Sequence, residues 1–146
     1  DKDWRLIATM NTLDKTSIYE MSYAFMRRFA FISVPTPKVI DENLIKLYLE
    51  AWAIDDDRYV SEVMQIWHLI NKYRKLGPAL IKDLYKYLVS SNGDYTSAIN
   101  MFVIPQLEGI FDDKLNELKK ALKELEFIKN KDILEDFMDN FFMLEE

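Results

Sequence analysis

The first forty residues alternate between apolar runs and polar breaks in an order typical of a strand, a helix and a second strand. Residues 4–10 form a run with a continuous apolar centre, which is typical of a strand buried on both faces. Polar residues that can cap a helix precede a helical pattern extending to about residue 28. Residues 29–34 then predict a second strand. We expect a short β-α-β unit in this part of the chain.

Two prolines follow this unit, at Pro35 and Pro37. Because proline lacks a backbone N–H and fixes φ, neither a helix nor a central strand can continue through these positions. The segment therefore predicts a linker. We place a domain boundary here, between a first domain at 1–36 and a second at 37–146, whose C-terminal helices (112–146) are acidic with a net charge of −5.

Apolar residues recur at helical spacing through almost all of the second domain, so the predicted fold class is mainly α. Predicted N-caps at Asp41, the acidic run 55–57 and Asp94, together with the breaker Gly77-Pro78, divide it into helices. A leucine seam is interpreted as helix packing, and the apolar stripe of the last helix must dock on another surface. The predicted helices are about 41–53, 55–75 and 79–89, one that follows Asp94 and is kinked or ended by Pro105, one with the leucine seam (Leu115, Leu118, Leu122 and Leu125), and a last one with the apolar stripe (Ile133, Leu134, Phe137, Met138, Phe141 and Phe142).

Composition excludes several kinds of site. The 146 residues include no cysteine and one histidine, His68, which excludes disulfides, thiolate zinc sites and multi-histidine metal centres. We therefore predict no metal site, and we expect His68 to be a packed or exposed helix residue. No apolar run is long enough for a membrane span, so a cytoplasmic location without a membrane partner is expected. The formal charge of −6 argues against a domain that coats nucleic acid, although a local basic patch stays open.

Asn11 directly follows the first predicted strand. In open α/β sheets, ligands bind outside the carboxyl ends of the strands, so a side chain at this position faces a site. An amide can donate and accept hydrogen bonds, which suits a water molecule or a phosphate oxygen. The alternative is that Asn11 satisfies backbone groups in a turn, as asparagine often does.

Arg27 and Arg28 stand at the end of the predicted helix, directly before the second strand. Adjacent guanidinium groups can cap the last carbonyls and complement the helix dipole, which would be a purely structural role. They can also project toward a phosphate, because arginine pairs with phosphate oxygens through two parallel hydrogen bonds.

Residues 6–17 (LIATMNTLDKTS), followed by residues 26–31 (MRRFAF), resemble the sensor-1 to arginine-finger block of AAA+ NTPases. The resemblance is to the McrB-like and MoxR-like branch, in which an ATMN or GTMN strand end is followed by an Asp and then by an RRF box. It implies that Asn11 is sensor 1, which positions the attacking water against the γ-phosphate. It also implies that Arg27 and Arg28 act on the nucleotide of a neighbouring subunit, without choosing between them.

The resemblance implies that the helical domain is the AAA+ lid and that the β-α-β unit is a remnant of the α/β core. It further implies ATP or GTP with Mg²⁺ as cofactors, a homo-oligomeric ring, most often a hexamer, and a nuclease or substrate protein as partner. The chain contains no phosphate-binding loop of the form G-x-x-x-x-G-K-[ST]. It begins with Asp1 and not with Met, so we expect a piece of a longer polypeptide that binds no nucleotide tightly and is inactive alone.

Lys82 is the remaining candidate. Members of the family often place a sensor-2 arginine at the start of a lid helix, where this chain has Ala79 and Leu80. Lys82, one turn later, is a substitute that would contact the nucleotide. The alternative is that Lys82 is a solvated charge on the helix surface.

A different class of function also fits the pattern. In this alternative the chain is a helical protein-interaction module, Asn11 and the two arginines are incidental, and the apolar stripe of the last helix binds a partner. The two hypotheses differ in which residues matter. Substituting both arginines would abolish hydrolysis under the first, whereas polar substitutions at Phe137 and Phe141 would abolish binding under the second.

Overall fold

Regular secondary structure in residues 3–9 and 23–144, the part of the chain that the computed structural model describes, is entirely helical. This confirms the mainly α fold class. The chain divides into two units, Asp1–Val34 and Pro35–Glu146, beside the proline pair. The elements are α1 (Tyr23–Met26), α2 (Glu42–Ala51), α3 (Val60–Ile70), α4 (Pro78–Ser91), α5 (Tyr95–Ala98), a π-helical turn (Ile99–Val103), a 3₁₀ turn (Ile104–Leu107), α6 (Asp112–Glu124) and α7 (Lys131–Phe142).

The two predicted strands are not formed in the described part of the first unit. Residues 4–9 and 30–34 have no regular secondary structure. Their apolar side chains are exposed, with Ile7 at 89% and Ile32 at 86%. A strand needs a neighbouring strand to satisfy its N–H and C=O groups, and the described residues supply no such ladder. The two apolar segments predicted as strands therefore have no partner strand among the described residues. Of the predicted helix before residue 28, the described part is α1.

Helix α2 begins where the sequence predicts because Asp41 caps it. The Oδ1 atom of Asp41 accepts a hydrogen bond from the backbone N–H of Leu44 at 2.8 Å. The helix ends at Ala51, two residues before the predicted end, and Ala53 then takes a left-handed backbone conformation with φ of 54°. This residue turns the chain toward the loop that precedes α3.

Helix α3 is shorter than predicted, because the acidic run 55–57 does not cap it. The carboxylate of Asp56 instead binds the guanidinium of Arg58 at 2.7 Å, and the helix begins at Val60 without a side-chain cap. After the helix, Asn71 accepts a hydrogen bond from the N–H of Leu76 at 2.8 Å. The segment predicted as its last turn therefore folds back as a loop.

Helix α4 has the start predicted by Gly77-Pro78, with Gly77 as N-cap and Pro78 in the first turn. Asp94 caps α5, because its Oδ1 accepts a hydrogen bond from the N–H of Ser97 at 3.1 Å. Pro105 interrupts the α-helix as predicted. Since it has no N–H to donate back along the helix, the chain changes to the π-helical and then the 3₁₀ turn.

One core joins helices α2 to α7 of the second unit. Its largest side chains are Trp67, whose Nε1 donates a hydrogen bond to the Leu76 carbonyl at 2.9 Å, and Tyr85. The leucine seam packs into this core as predicted, with Leu125 only partly buried. The apolar stripe of α7 is split, since two of its six members are buried, three are exposed and Phe142 is partly buried. The buried seam and stripe residues are Leu115, Leu118, Leu122, Leu134 and Met138.

Candidate functional site

The structure describes three of the four residues that the sequence singles out. Asn11 lies outside the described residues. Arg27 and Arg28 belong to the first unit and Lys82 to the second.

Arg27 and Arg28 form the turn that follows α1, and both side chains are exposed. The N–H of Phe29 donates a hydrogen bond to the carbonyl of Met26 at 3.3 Å, which closes the turn. The helix thus ends before the arginines instead of including them. Two adjacent exposed guanidinium groups present several N–H donors to an incoming anion, and phosphate is the anion whose geometry this fork matches well.

Exposed apolar side chains lie on both sides of this turn in the sequence. Large exposed apolar surface marks interaction sites in soluble proteins, because each such side chain costs free energy in water. The described part of the first unit therefore resembles a segment whose apolar side chains pack against another protein surface. The exposed residues are Trp4 (69%), Leu6 (56%), Ile7 (89%), Phe31 (55%), Ile32 (86%) and Val34 (89%).

Lys82 lies half-buried on α4, close to an aromatic pair of α2. Its Nζ lies 6.0 Å from the centre of the Trp52 ring, at the limit of a cation–π contact. Trp52 in turn stacks on Tyr48, with ring centres 5.1 Å apart and an interplanar angle of 7°. This contact gives Lys82 a packing role in the helical unit that the sequence did not indicate.

His68 is exposed on α3, as one of the two outcomes expected for it. It borders an open groove of about 550 Å³ whose lining includes Ile40, Met64 and Leu125. Among the residues described, no group of three or more histidine or acidic side chains is arranged to hold a metal ion. The groove is mainly apolar, and its polar lining residues are His68, Gln65, Lys72 and Glu124.

The loop before α3 is fixed by a polar network. The guanidinium of Arg58 binds Asp56 and donates to Oδ1 of Asn92 at 3.0 Å. The Tyr85 hydroxyl donates to the Asp56 carbonyl at 2.8 Å and accepts from the Tyr59 N–H at 3.3 Å. Hydrogen bonds from Arg58 lower the pKa of the Asp56 carboxyl, and burial raises the pKa of Tyr85 to about 12. These groups hold the loop on α4, so we assign them a structural role.

The outer side of α7 is the second exposed apolar region. Ile133, Phe137 and Phe141 are 56%, 36% and 42% exposed, while the inner side of the helix packs into the core. The sequence predicted a stripe that docks as a whole. The sequence did not predict that only part of the stripe is buried. The pattern shows which residues are apolar, but it does not show how much of the α7 surface the neighbouring helices cover.

Comparison of the chain with models of protein families, with curated proteins and with solved structures gave no match. A search of the helices in the described ranges found none with both the length and the apolar character needed to span a membrane. Function must therefore be inferred from the residues themselves.

Proposed function

We propose that this chain is the sensor-1-to-lid part of an AAA+ ring NTPase of the McrB-like or MoxR-like branch. In this proposal the first unit belongs to the α/β nucleotide-binding core and the helical unit is the lid. Hydrolysis of ATP or GTP, bound with Mg²⁺, drives remodelling of a substrate protein or translocation along nucleic acid. The working assembly is a homo-oligomeric ring in the cytoplasm, with a nuclease or substrate protein as partner.

The observation that carries the proposal is the exposed apolar surface on both sides of the candidate motif. Leaving side chains such as Ile7 or Ile32 in water costs roughly 1.5–3 kcal/mol each relative to burial. In an AAA+ core, residues 4–10 and 29–34 would pair with strands supplied by other parts of the polypeptide and would become buried. The same pairing would place Asn11 at a strand end, beside the nucleotide.

The chemistry then divides between two subunits. Asn11 orients the attacking water in its own subunit. Arg27 or Arg28 donates hydrogen bonds to the transferred phosphoryl group in the neighbouring subunit and stabilises its developing charge. A finger supplied in trans in this way contributes on the order of 10³–10⁵ in rate in other NTPases. The exposure of both guanidinium groups supports this role, because a buried arginine could not enter another subunit's site.

Lys82 has a smaller part in the proposal. As the substitute for the sensor-2 arginine it would contact the phosphates from the start of α4. Its position over the Trp52 ring supports a cation held in a defined place on the lid, since the aromatic face favours one location for the ammonium group.

The first test is the coding sequence upstream of Asp1. A phosphate-binding loop of the form G-x-x-x-x-G-K-[ST], followed by a strand that ends in acidic residues, is the expected result. A polypeptide whose reading frame opens at Asp1 would contradict the proposal. So would nucleotide hydrolysis by a clean preparation of the 146-residue chain, because this chain has no loop that could hold the phosphates.

The interaction-module alternative is favoured by one observation, the exposed outer side of α7. If it is correct, the change Arg27→Ala with Arg28→Ala leaves the function intact, and polar substitutions at Phe137 and Phe141 abolish it. Under the NTPase proposal, substitution of both arginines abolishes hydrolysis, and polar substitutions at Phe137 and Phe141 leave it intact.

A further inference from the structure

Helix α7 presents two parallel lines of side chains on its outer side. Ile133, Phe137 and Phe141 form an apolar line with a spacing of four residues, and all three are exposed. Asp132 and Asp136, each one residue earlier, form an acidic line beside it and are also exposed. Because an α-helix has 3.6 residues per turn, residues four apart lie on the same side. The two lines together are called the outer face.

Acidic side chains on the inner side of the same helix form ion pairs with lysines of α6. The Nζ atom of Lys119 on α6 binds Asp139 at 2.6 Å, and Lys123 binds Glu135. No Lys or Arg in the described part of the chain forms an ion pair with Asp132 or Asp136. The lysine ion pairs of α7 therefore lie on its inner side, and Lys123 acts on Asp132 only through a longer-range electrostatic attraction.

The aromatic rings of the outer face add to its preference for positive charge. Phe137 and Phe141 are stacked with ring centres 5.9 Å apart, and Phe141 contacts Phe142 edge to face at 4.9 Å. The face of an aromatic ring attracts ammonium and guanidinium groups, and nearby carboxylates attract them further. A ligand for this face needs apolar side chains for the ring surface and cations for its acidic edge.

We propose that the outer face of α7 binds a basic amphipathic helix of another protein. The apolar line spans about two helical turns, which is the length over which such a helix offers anchors at positions i, i+4 and i+7. Lysine or arginine beside those anchors pairs with Asp132 and Asp136. A second copy of this chain is a poorer occupant, because it brings the same carboxylates and a net charge of −6. This proposal does not depend on the NTPase proposal.

The test uses the full 146-residue chain and a fluorescein-labelled synthetic helical peptide, with leucine at positions i, i+4, i+7 and i+11 and lysine beside them. Binding is measured by fluorescence anisotropy. Two control peptides are a scrambled sequence of the same composition and the same sequence with glutamate in place of lysine. We expect the amphipathic lysine peptide to bind and both control peptides to bind at least about tenfold more weakly, because only the first has apolar and basic lines in register.

Variants locate the binding surface. Phe137→Ala with Phe141→Ala, and separately Asp132→Lys with Asp136→Lys, are expected to weaken the affinity about tenfold or more, since buried aromatic anchors and desolvated charge pairs dominate helix recognition. Phe111→Ala is the matched control, because Phe111 is 81% exposed and lies outside the outer face. Circular dichroism verifies that each variant retains its helices, as expected for substitutions of exposed side chains.

Three results would overturn the proposal. One is equal binding of the scrambled or the glutamate peptide, and another is an affinity that the α7 variants leave unchanged. The third is a concentration-dependent doubling of mass in sedimentation that Phe137→Ala with Phe141→Ala abolishes, because the occupant would then be a second copy. Absence of binding by the lysine peptide at concentrations up to about 1 mM also counts against it.

Discussion

At the scale of single residues, Tyr85 connects more of the helical unit than its position on α4 suggests. Its ring is buried in the core and packs edge to face against Tyr59. Its hydroxyl joins two backbone groups of the loop that precedes α3, the carbonyl of Asp56 and the N–H of Tyr59. Because of these hydrogen bonds, ionisation of the Tyr85 hydroxyl destabilises the folded loop that precedes α3.

This coupling predicts loss of stability in alkaline solution. Burial raises the pKa of Tyr85 from 10.0 to about 12, and the pKa of Tyr95 shifts in the same direction for the same reason. The folded state therefore retains protons that the unfolded chain releases near pH 10. The contribution of these groups to stability is fully present below pH 10 and is lost as the pH rises toward 12. Denaturant unfolding followed between pH 8 and pH 12 checks this.

The variant Tyr85→Phe separates the hydroxyl from the ring. At neutral pH we expect it to lower the free energy of unfolding by about 1–3 kcal/mol, because the carbonyl of Asp56 loses a donor. We also expect a smaller decrease of stability with pH than in the unaltered chain. Tyr48→Phe is the control, since the Tyr48 hydroxyl forms no hydrogen bond within the described part of the chain and the ring stacking on Trp52 is retained. A stability that is constant from pH 8 to 12 would be incompatible with this account.

The hydrogen bonds of capping residues could be predicted from the sequence. The bond formed by a side chain with two possible partners could not. Asp41 and Asp94 cap their helices as predicted, because capping needs only the next three residues. Asp56 was predicted as a cap of the same kind. Its carboxylate binds Arg58 instead, two residues away, and a bidentate pair with a guanidinium competes directly with a cap. The pattern of residue types does not determine which bond is formed.

At the scale of elements, the helices could be predicted and the strands could not. A helix satisfies its backbone groups within itself, so its apolar period and caps are nearly sufficient evidence. A strand depends on partners that are distant in the sequence, and residues 4–9 and 30–34 have none among the described residues. The π-helical turn was also missed, because Pro105 allows several ways to interrupt a helix.

The cap of α5 gives a prediction at this scale. We expect Asp94→Ala to lower the free energy of unfolding by about 1 kcal/mol, because the N–H of Ser97 loses its acceptor at the start of the helix. Asp57→Ala is the matched control and should have a smaller effect, since Asp57 does not cap α3. The measurement is the denaturant midpoint with an unchanged slope. Equal destabilisation by the two variants would show that the acidic run also caps.

At the scale of the whole molecule, every core side chain among the described residues belongs to the second unit. These side chains come from residues 45–138, and all but Tyr59, Leu76 and Ile128 belong to helices α2 to α7 or to the π-helical and 3₁₀ turns. The acidity of the C-terminal helices, which the sequence shows plainly, is partly used in the ion pairs between α6 and α7. The sequence could not show which carboxylates are paired, because pairing depends on how these two helices meet.

This distribution predicts that residues 35–146 fold without the first unit. We expect the shortened chain to unfold in one cooperative transition with a midpoint close to that of the 146-residue chain, because the described residues of the removed segment supply no core side chain. Circular dichroism during thermal and denaturant unfolding measures it. Loss of the cooperative transition would mean that the first unit completes the core.

The catalytic roles proposed for Asn11, Arg27 and Arg28 come from the resemblance in sequence. The structure describes the surroundings of the two arginines. Arg27 and Arg28 lie exposed in a turn, next to apolar residues that have no partner strand in the described part of the chain. Asn11 lies outside the described residues. A role in trans also requires a second subunit, so no single chain can display the complete site.

The most direct measurement is therefore hydrolysis by mixed subunits of the polypeptide encoded by the whole reading frame. One variant carries Asn11→Ala and the other carries Arg27→Ala with Arg28→Ala, and each alone is expected to bind nucleotide but to hydrolyse almost none. Mixed in equal amounts, they should recover up to about a quarter of the unaltered rate, because that share of random neighbours combines an intact Asn11 with intact arginines. Lys72→Ala with Lys75→Ala, which removes two exposed charges from the helical unit, is the control. Hydrolysis that survives the arginine substitutions unchanged, or no recovery on mixing, would contradict the account.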